Sequence, residues 1–109
     1  MLLFTQIVIS IFLSVTPINK NSCTATWYDT ARHPKVHRHY STAAYCDWKY
    51  RNKKFIVTNI QNGKSDTVII TDKHGKGANH IDLSKTSFGK LANHSQGKIK
   101  VKIIEIIEN

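Results

Sequence analysis

Two apolar runs joined by an Asn-Gly pair constrain this chain more than any other stretch. Phe55-Ile56-Val57-Thr58-Asn59-Ile60 and Thr67-Val68-Ile69-Ile70-Thr71 are rich in β-branched residues, and Asn62-Gly63 lies between them. Such side chains fit a pleated, half-buried surface. Asn-Gly is the pair that best tolerates the positive φ angles of a type I′ turn. The reading is an antiparallel hairpin. Lys98-Ile99-Lys100-Val101-Lys102-Ile103 alternates cleanly, which sends Ile99, Val101 and Ile103 inward and the lysines outward. The doubled Ile103-Ile104 breaks that alternation and predicts a bulge or a strand covered on both faces. Thr24-Ala25-Thr26-Trp27-Tyr28 reads as a further strand, and Thr42-Ala43-Ala44-Tyr45 as a small-residue stretch suited to lie against a core. Ser84 can cap a short helix with Phe88 and Leu91 on one face and Ala92 adjoining. Gly89 weakens that helix, and Gly97 restarts the chain after it. The sum is a mostly β domain with one short helix, which at 109 residues means a closed or nearly closed barrel.

Residues 1–18 carry no charged side chain. Their core, Ile7 to Leu13, has the length of a signal-peptide apolar region and is short for a membrane span. The expected organisation is a leader or N-terminal hydrophobic anchor over residues 1–22 and one domain over 23–109. The expected location is outside the cytoplasm: periplasm, cell envelope or secreted. No membrane span is expected beyond the leader. Two cysteines in a small exported domain favour a disulfide between Cys23 and Cys46. The alternative takes Ser22-Cys23 as a lipoprotein site with Cys23 acylated. Lys20, and strand-like sequence starting straight after Cys23, weigh against it. Sixteen Lys and Arg oppose seven Asp and Glu, a net charge of +9, which suggests an anionic partner. A leader pointing outward makes a wall or acidic polysaccharide the better reading than nucleic acid. A monomer without cofactor is expected.

The stretch from Thr71 to Ala92 is the best candidate for chemistry. Asp72 ends an apolar run, a loop rich in Gly, Lys and His follows, and Asp82 precedes the helix. The chain has six histidines, three of them (His33, His37, His39) in an aperiodic segment, Thr30 to Ser41, read as a surface loop over the site. His37 and His39 are two apart, His74 and His80 six apart. No Cys or carboxylate completes a zinc spacing, so no metal site is expected. His80, beside an acid, is a candidate for substrate contact. Trp27, Tyr28 and Trp48 could stack on sugar faces, although in so small a barrel an aromatic is as often core.

Val57-Thr58-Asn59, Asn62-Gly63, a strand ending in Asp72, His80-Ile81-Asp82-Leu83-Ser84 and a helix with Phe88 and Leu91 together resemble a known domain. It is the double-psi β-barrel of rare lipoprotein A-type lytic transglycosylases, expansins, barwin-like proteins and one family of endoglucanases. Ala25-Thr26-Trp27-Tyr28 and Thr42-Ala43-Ala44 are similar to the bacterial rare lipoprotein A pattern. The resemblance covers residues 23 to 107 and implies a six-stranded barrel crossed by a polysaccharide groove. It implies Asp82 as the general acid, Asp72 close to it, and Asp29 where the related endoglucanases carry their second acid. Three departures stand out. Asp72-Lys73-His74-Gly75 replaces the usual Asp-Arg-Gly-Pro, Tyr45 replaces a His, and the acid usual in the loop after the first strand has no counterpart.

Cutting a glycosidic bond needs a proton for the leaving oxygen and stabilisation of an oxocarbenium-like centre, and a hydrolase adds a second carboxylate. A lytic transglycosylase directs the sugar's own 6-hydroxyl at the anomeric carbon, so one acid that later serves as base suffices. Asp82 suits that role if burial raises its pKa, whereas a helix N-terminus would lower it. The function expected is an exported lytic transglycosylase acting on peptidoglycan or another anionic wall polysaccharide, with Asp82 and Asp72 as catalytic candidates. Trp27, Tyr28, Asp29, Tyr45 and His80 are the substrate-contact candidates. The alternatives are a non-catalytic, expansin-like wall-binding module and a barwin-like or nucleic-acid-binding basic protein.

Overall fold

A computed structural model describes residues 16–29 and 40–108. Its strands are β1 (Asn19–Tyr28), β2 (Thr42–Tyr45), β3 (Lys54–Asn59), β4 (Ser65–Lys73), β5 (His80–Ser84) and β6 (Lys98–Ile106), with one α-helix, α1 (Lys85–Leu91). They close into a barrel in the order β1-β5-β2-β4-β3-β6. The pairs β1–β5 and β2–β4 are parallel and the other four antiparallel. The expected mostly β barrel with one short helix is thus present. Residues 1–15 of the expected leader and residues 30–39 of the histidine-bearing segment lie outside the described residues.

Alternation decides which side of each strand is core. Cys23 and Ala25, Ala43 and Tyr45, Phe55 and Val57, Val68 and Ile70, Ile81 and Leu83, and Ile99, Val101 and Ile103 all point inward and are buried. Burying one such large apolar side chain contributes about 1.5–3 kcal/mol. A one-residue slip of any strand would turn its whole set outward, so the register is strongly specified. Phe88 and Leu91 of α1 join the same core. Ser84 caps α1 as expected, its Oγ accepting from the Ser87 amide at 3.2 Å. Gly89 has a use the sequence did not suggest: a Cβ there would stand 2.8 Å from a ring carbon of His94, which packs against the helix.

Four details differ from the sequence expectations. The β3–β4 connection is not a type I′ turn, because Gly63 has a positive φ of 76° but Asn62 does not. Asn62 serves the helix instead. Its Nδ2 donates to the Leu91 carbonyl at 2.9 Å, and Asn59 Nδ2 donates to the same oxygen at 3.0 Å. Second, the irregularity opposite Ile103 lies in β1, between Lys20 and Cys23, rather than in β6. Ile104 faces outward, paired with Ile56. Third, β1 begins at Asn19, four residues ahead of the expected domain start, and pairs there with Ile104. Fourth, the expected disulfide is absent. Cys23 and Cys46 are free thiols, Cys23 buried on the inner face of β1 and Cys46 half-buried just past the end of β2. In the ring order β5 stands between those two strands. Burial pushes the Cys23 thiol up, against the opposing pull of Lys20 and Lys100, which makes it a weak nucleophile.

Candidate functional site

The strand register builds one row of outward-facing residues across the barrel wall. Lys98 of β6 is opposite Thr26 of β1, and Thr26 is opposite Asp82 of β5. Asp82 is opposite Ala44 of β2, and Ala44 is opposite Asp72 of β4. The small Ala44 leaves a trough between the two acids. At roughly 4.8 Å per strand spacing, their backbones stand about 10 Å apart.

Asp82 sits in a cluster of donors. Its Oδ1 accepts the Thr26 hydroxyl hydrogen, lies 2.9 Å from His80 Nε2 and 3.6 Å from Lys76 Nζ. His80 Nε2 is also 2.8 Å from Thr26 Oγ1. The two nearest atoms facing that nitrogen accept, since the Thr26 hydrogen is already given to Asp82, and they favour a hydrogen on Nε2; the Lys76 ammonium stands farther off, at 3.4 Å. The Asp82 side chain is 19 % exposed. Burial pushes its pKa up, but the hydrogen bonds from Thr26 and His80 and the charge of Lys76 outweigh it, and the carboxyl is held below its ordinary value of 3.8. Of the two opposing tendencies weighed in the sequence, lowering prevails, through these donors: Asp82 rests as a carboxylate.

The loop between β4 and β5 holds Lys76 in place through His74. The His74 Nε2 donates to the His80 carbonyl at 2.7 Å, and its Nδ1 accepts from the Lys76 amide at 3.0 Å. That pair of bonds requires the neutral imidazole with its hydrogen on Nε2. Tyr45 fastens the same loop from inside the barrel. It is fully buried, its hydroxyl donates to the Ala78 carbonyl at 2.8 Å, and its carbonyl accepts from the His74 amide at 2.9 Å. Tyr45 thus positions the loop rather than facing the trough.

The other candidates fall into two groups. Tyr28 shares the outer face of β1 with Thr26. Its hydroxyl lies beside those of Thr42 and Thr71, and burial, with Asp72 and Asp82 adding, pushes its pKa up. Asp72 accepts from the Lys73 amide at 2.8 Å. These two belong to the trough. Trp27 does not, because adjacent strand residues face opposite ways. Its Nε1 donates to the His94 carbonyl at 3.1 Å, and its ring packs against Phe88 and His94. Asp29 is exposed, three residues past Thr26 along the chain and so on the order of 10 Å beyond the Asp82 row. Trp48 is exposed under the Arg51 guanidinium, in a short 3₁₀ turn after β2.

Thr26 and Lys76 are residues of the candidate site that the sequence reading did not single out, and His74, weighed there only as a metal ligand, instead holds the loop. Only Thr26 left a signal, through its shared face with Tyr28. Among the described residues no group of three or more His, Cys, Asp or Glu could hold a metal ion. No helix among them is long and apolar enough to cross a membrane.

The barrel is similar to several solved structures. The expansin of Clavibacter michiganensis aligns with a TM-score of 0.68 and 18% identity, covering 84% of this chain and 52% of that one. A point mutant of that expansin in complex with cellohexaose aligns at 0.67 and 19% identity, with the same coverage. A Streptomyces papain inhibitor aligns at 0.64 and 19% identity, covering 84% of this chain and 96% of that one. The chain thus spans about half the length of the expansin structures. No curated protein matches it. At such identities the likeness establishes the fold alone, the double-psi β-barrel. A family model is more direct: the one described as lytic transglycolase matches residues 19–103, from the first residue of β1 into β6, and the chain belongs to that family.

Proposed function

We propose that this domain acts outside the cytoplasm on wall polysaccharide and cleaves peptidoglycan glycan strands as a lytic transglycosylase. The observation that carries the reading is the Asp82–His80 pair, open to the trough and backed by Thr26 and Lys76. A carboxylate held by three donors is a poor source of the proton that the leaving oxygen needs. An imidazole beside it is a good one, since histidine exchanges its proton in the neutral range. In this scheme His80 Nε2–H protonates the glycosidic oxygen as the bond from C1 breaks. Asp82 stabilises the imidazolium before transfer and the oxocarbenium-like centre after it. The neutral imidazole then takes the proton of the 6-hydroxyl as that oxygen bonds to C1, which restores the starting charge and consumes no water. Asp82 works here as an electrostatic partner and His80 as acid, then base. One acid–base group suffices, which agrees with the distance of Asp72 from the pair.

Purified sacculi incubated with the protein should release anhydro-ended fragments detectable by mass spectrometry. His80→Gln should lower the rate about 100-fold or more, the usual contribution of general acid–base catalysis. Release at the wild-type rate by His80→Gln would sink this assignment.

The second reading is a non-catalytic wall-binding module, favoured by the depressed carboxyl of Asp82 and by the cellohexaose bound to a mutant of the similar expansin. It predicts retention on sacculi with no new chain ends from wild-type protein.

A further inference from the structure

The row that contains Asp82 does not stop at β1. It passes through Thr26 to Lys98, and the next outward residues of β6 are Lys100 and Lys102. Successive outward residues of a strand stand roughly 6.7 Å apart along the backbone, so the three lysines leave β6 at regular intervals on one face, as a ladder. Lys98 and Lys100 are exposed. Lys100 Nζ donates to Thr24 Oγ1 at 3.2 Å, which ties the ladder to the neighbouring strand. Among the described residues no carboxylate lies within 4 Å of any of the three. Lys20, Lys64 and Lys85 among others also lack an acid partner, but Lys98, Lys100 and Lys102 follow one another on one face of a single strand. Two open cavities flank Lys98 and Lys100. One, of about 480 Å³, reaches Ile60 and Gln96, and the other, of about 340 Å³, reaches Thr24.

We propose that the Lys98–Lys100–Lys102 ladder, with its two flanking cavities, binds carboxylate groups on the same glycan strand that lies in the Asp82 trough. The proposal rests on the polysaccharide reading above and specifies the substrate class: a glycan bearing its negative charge on the strand itself. Charge complementarity and continuity support it. Only β1 separates the ladder from Asp82, so a strand crossing the wall along the row meets Thr26 and then Lys98 without leaving the surface. Lysine presents a point charge on a flexible stem and lacks the planar fork of arginine, which suits charges of variable position along a polymer. Uncompensated lysines also lie where the Asp82 carboxylate would otherwise repel an acidic chain.

The test uses the full chain and two β-1,4-glucans of matched length, one carboxymethylated and one unsubstituted. Wild type should bind the carboxymethylated glucan more tightly at low salt, and lose the preference near 0.5 M salt, where the Debye length is roughly 4–5 Å. Lys98→Gln with Lys100→Gln should weaken binding of the charged glucan about tenfold and leave the neutral one unchanged. Equal binding of the charged glucan by variant and wild type would overturn the proposal while the trough reading stands. Neutral glucan binding that Asp82→Ala weakens marks that case. Failure of both glucans to bind, together with failure of the protein to sediment with purified sacculi, would overturn both readings. A preference for duplex DNA over the charged glucan, lost in the same double variant, would assign the ladder to nucleic acid and overturn the glycan assignment.

Discussion

Asp82 and Asp72 face the same small residue, Ala44, from the two strands beside β2, yet they are different acids. Asp82 has a hydroxyl, an imidazole and an ammonium directed at one oxygen. Asp72 takes a backbone amide from the next residue along. Register brings both to the trough, but donors decide what each can do. The donors at Asp82 come from β1, from β5 itself and from the β4–β5 loop, three pieces of chain that meet only in the closed barrel. The partner of Asp72 is local and would be available in almost any turn. A carboxylate with long-range partners is a constructed site.

The largest effect that separates the two acids should appear in catalysis. Asp82→Asn should reduce release of anhydro products by about 100-fold to 10,000-fold, because it removes the charge that supports the imidazolium. A loss under tenfold would mean that Asp82 only binds. Thr26→Val tests the source of the difference. It removes the hydroxyl that Asp82 accepts, should cost about 1.5–3 kcal/mol in denaturant unfolding, and should raise the Asp82 pKa in an NMR titration.

Acid titration sharpens the contrast through stability. The folded Asp82 carboxyl is more acidic than in the unfolded chain, so its ionised form favours the fold. That contribution is complete above the unfolded value near 3.8 and is lost as pH falls through the lower folded value. Unfolding curves between pH 5 and pH 2 should therefore flatten in Asp82→Asn. The smallest effect belongs to Asp72→Asn, which should change product release less than about tenfold and leave the acid limb of stability in place. A loss as large as that of Asp82→Asn would abolish the distinction between the two acids.

Local pattern carried the fold well. The alternation of Ile99, Val101 and Ile103, the hairpin strands and the Ser84 cap depend on neighbours in sequence and appear as expected. The parallel pairs β1–β5 and β2–β4 join residues dozens of positions apart, and no local pattern encodes them. Only the family resemblance pointed there. The same divide runs through the site. Asp82 and His80 are two apart on one strand, so their shared face was legible. Thr26 and Lys76 approach Asp82 through pairing and loop closure, which no local pattern encodes. Tyr45 and Trp27 are placed by parity, since a residue next to an outward one points inward. The Asn62-Gly63 pair misled because tertiary demand outweighed turn preference. Two asparagines of the hairpin region are taken up by the last carbonyl of α1.

The seam between β1 and β6 bears on how the chain acquires its structure. β6 pairs with β1 on one side and β3 on the other, so the ring cannot close until the strand at 98–106 is in place. A chain synthesised only as far as α1 would leave β1 and β3 as open edges, the kind that recruit other strands. Most of the pairing free energy would arrive in one late step, with long loops to close first, and such non-local barrels fold slowly. During synthesis the barrel would stay open until the strand at 98–106 had been made.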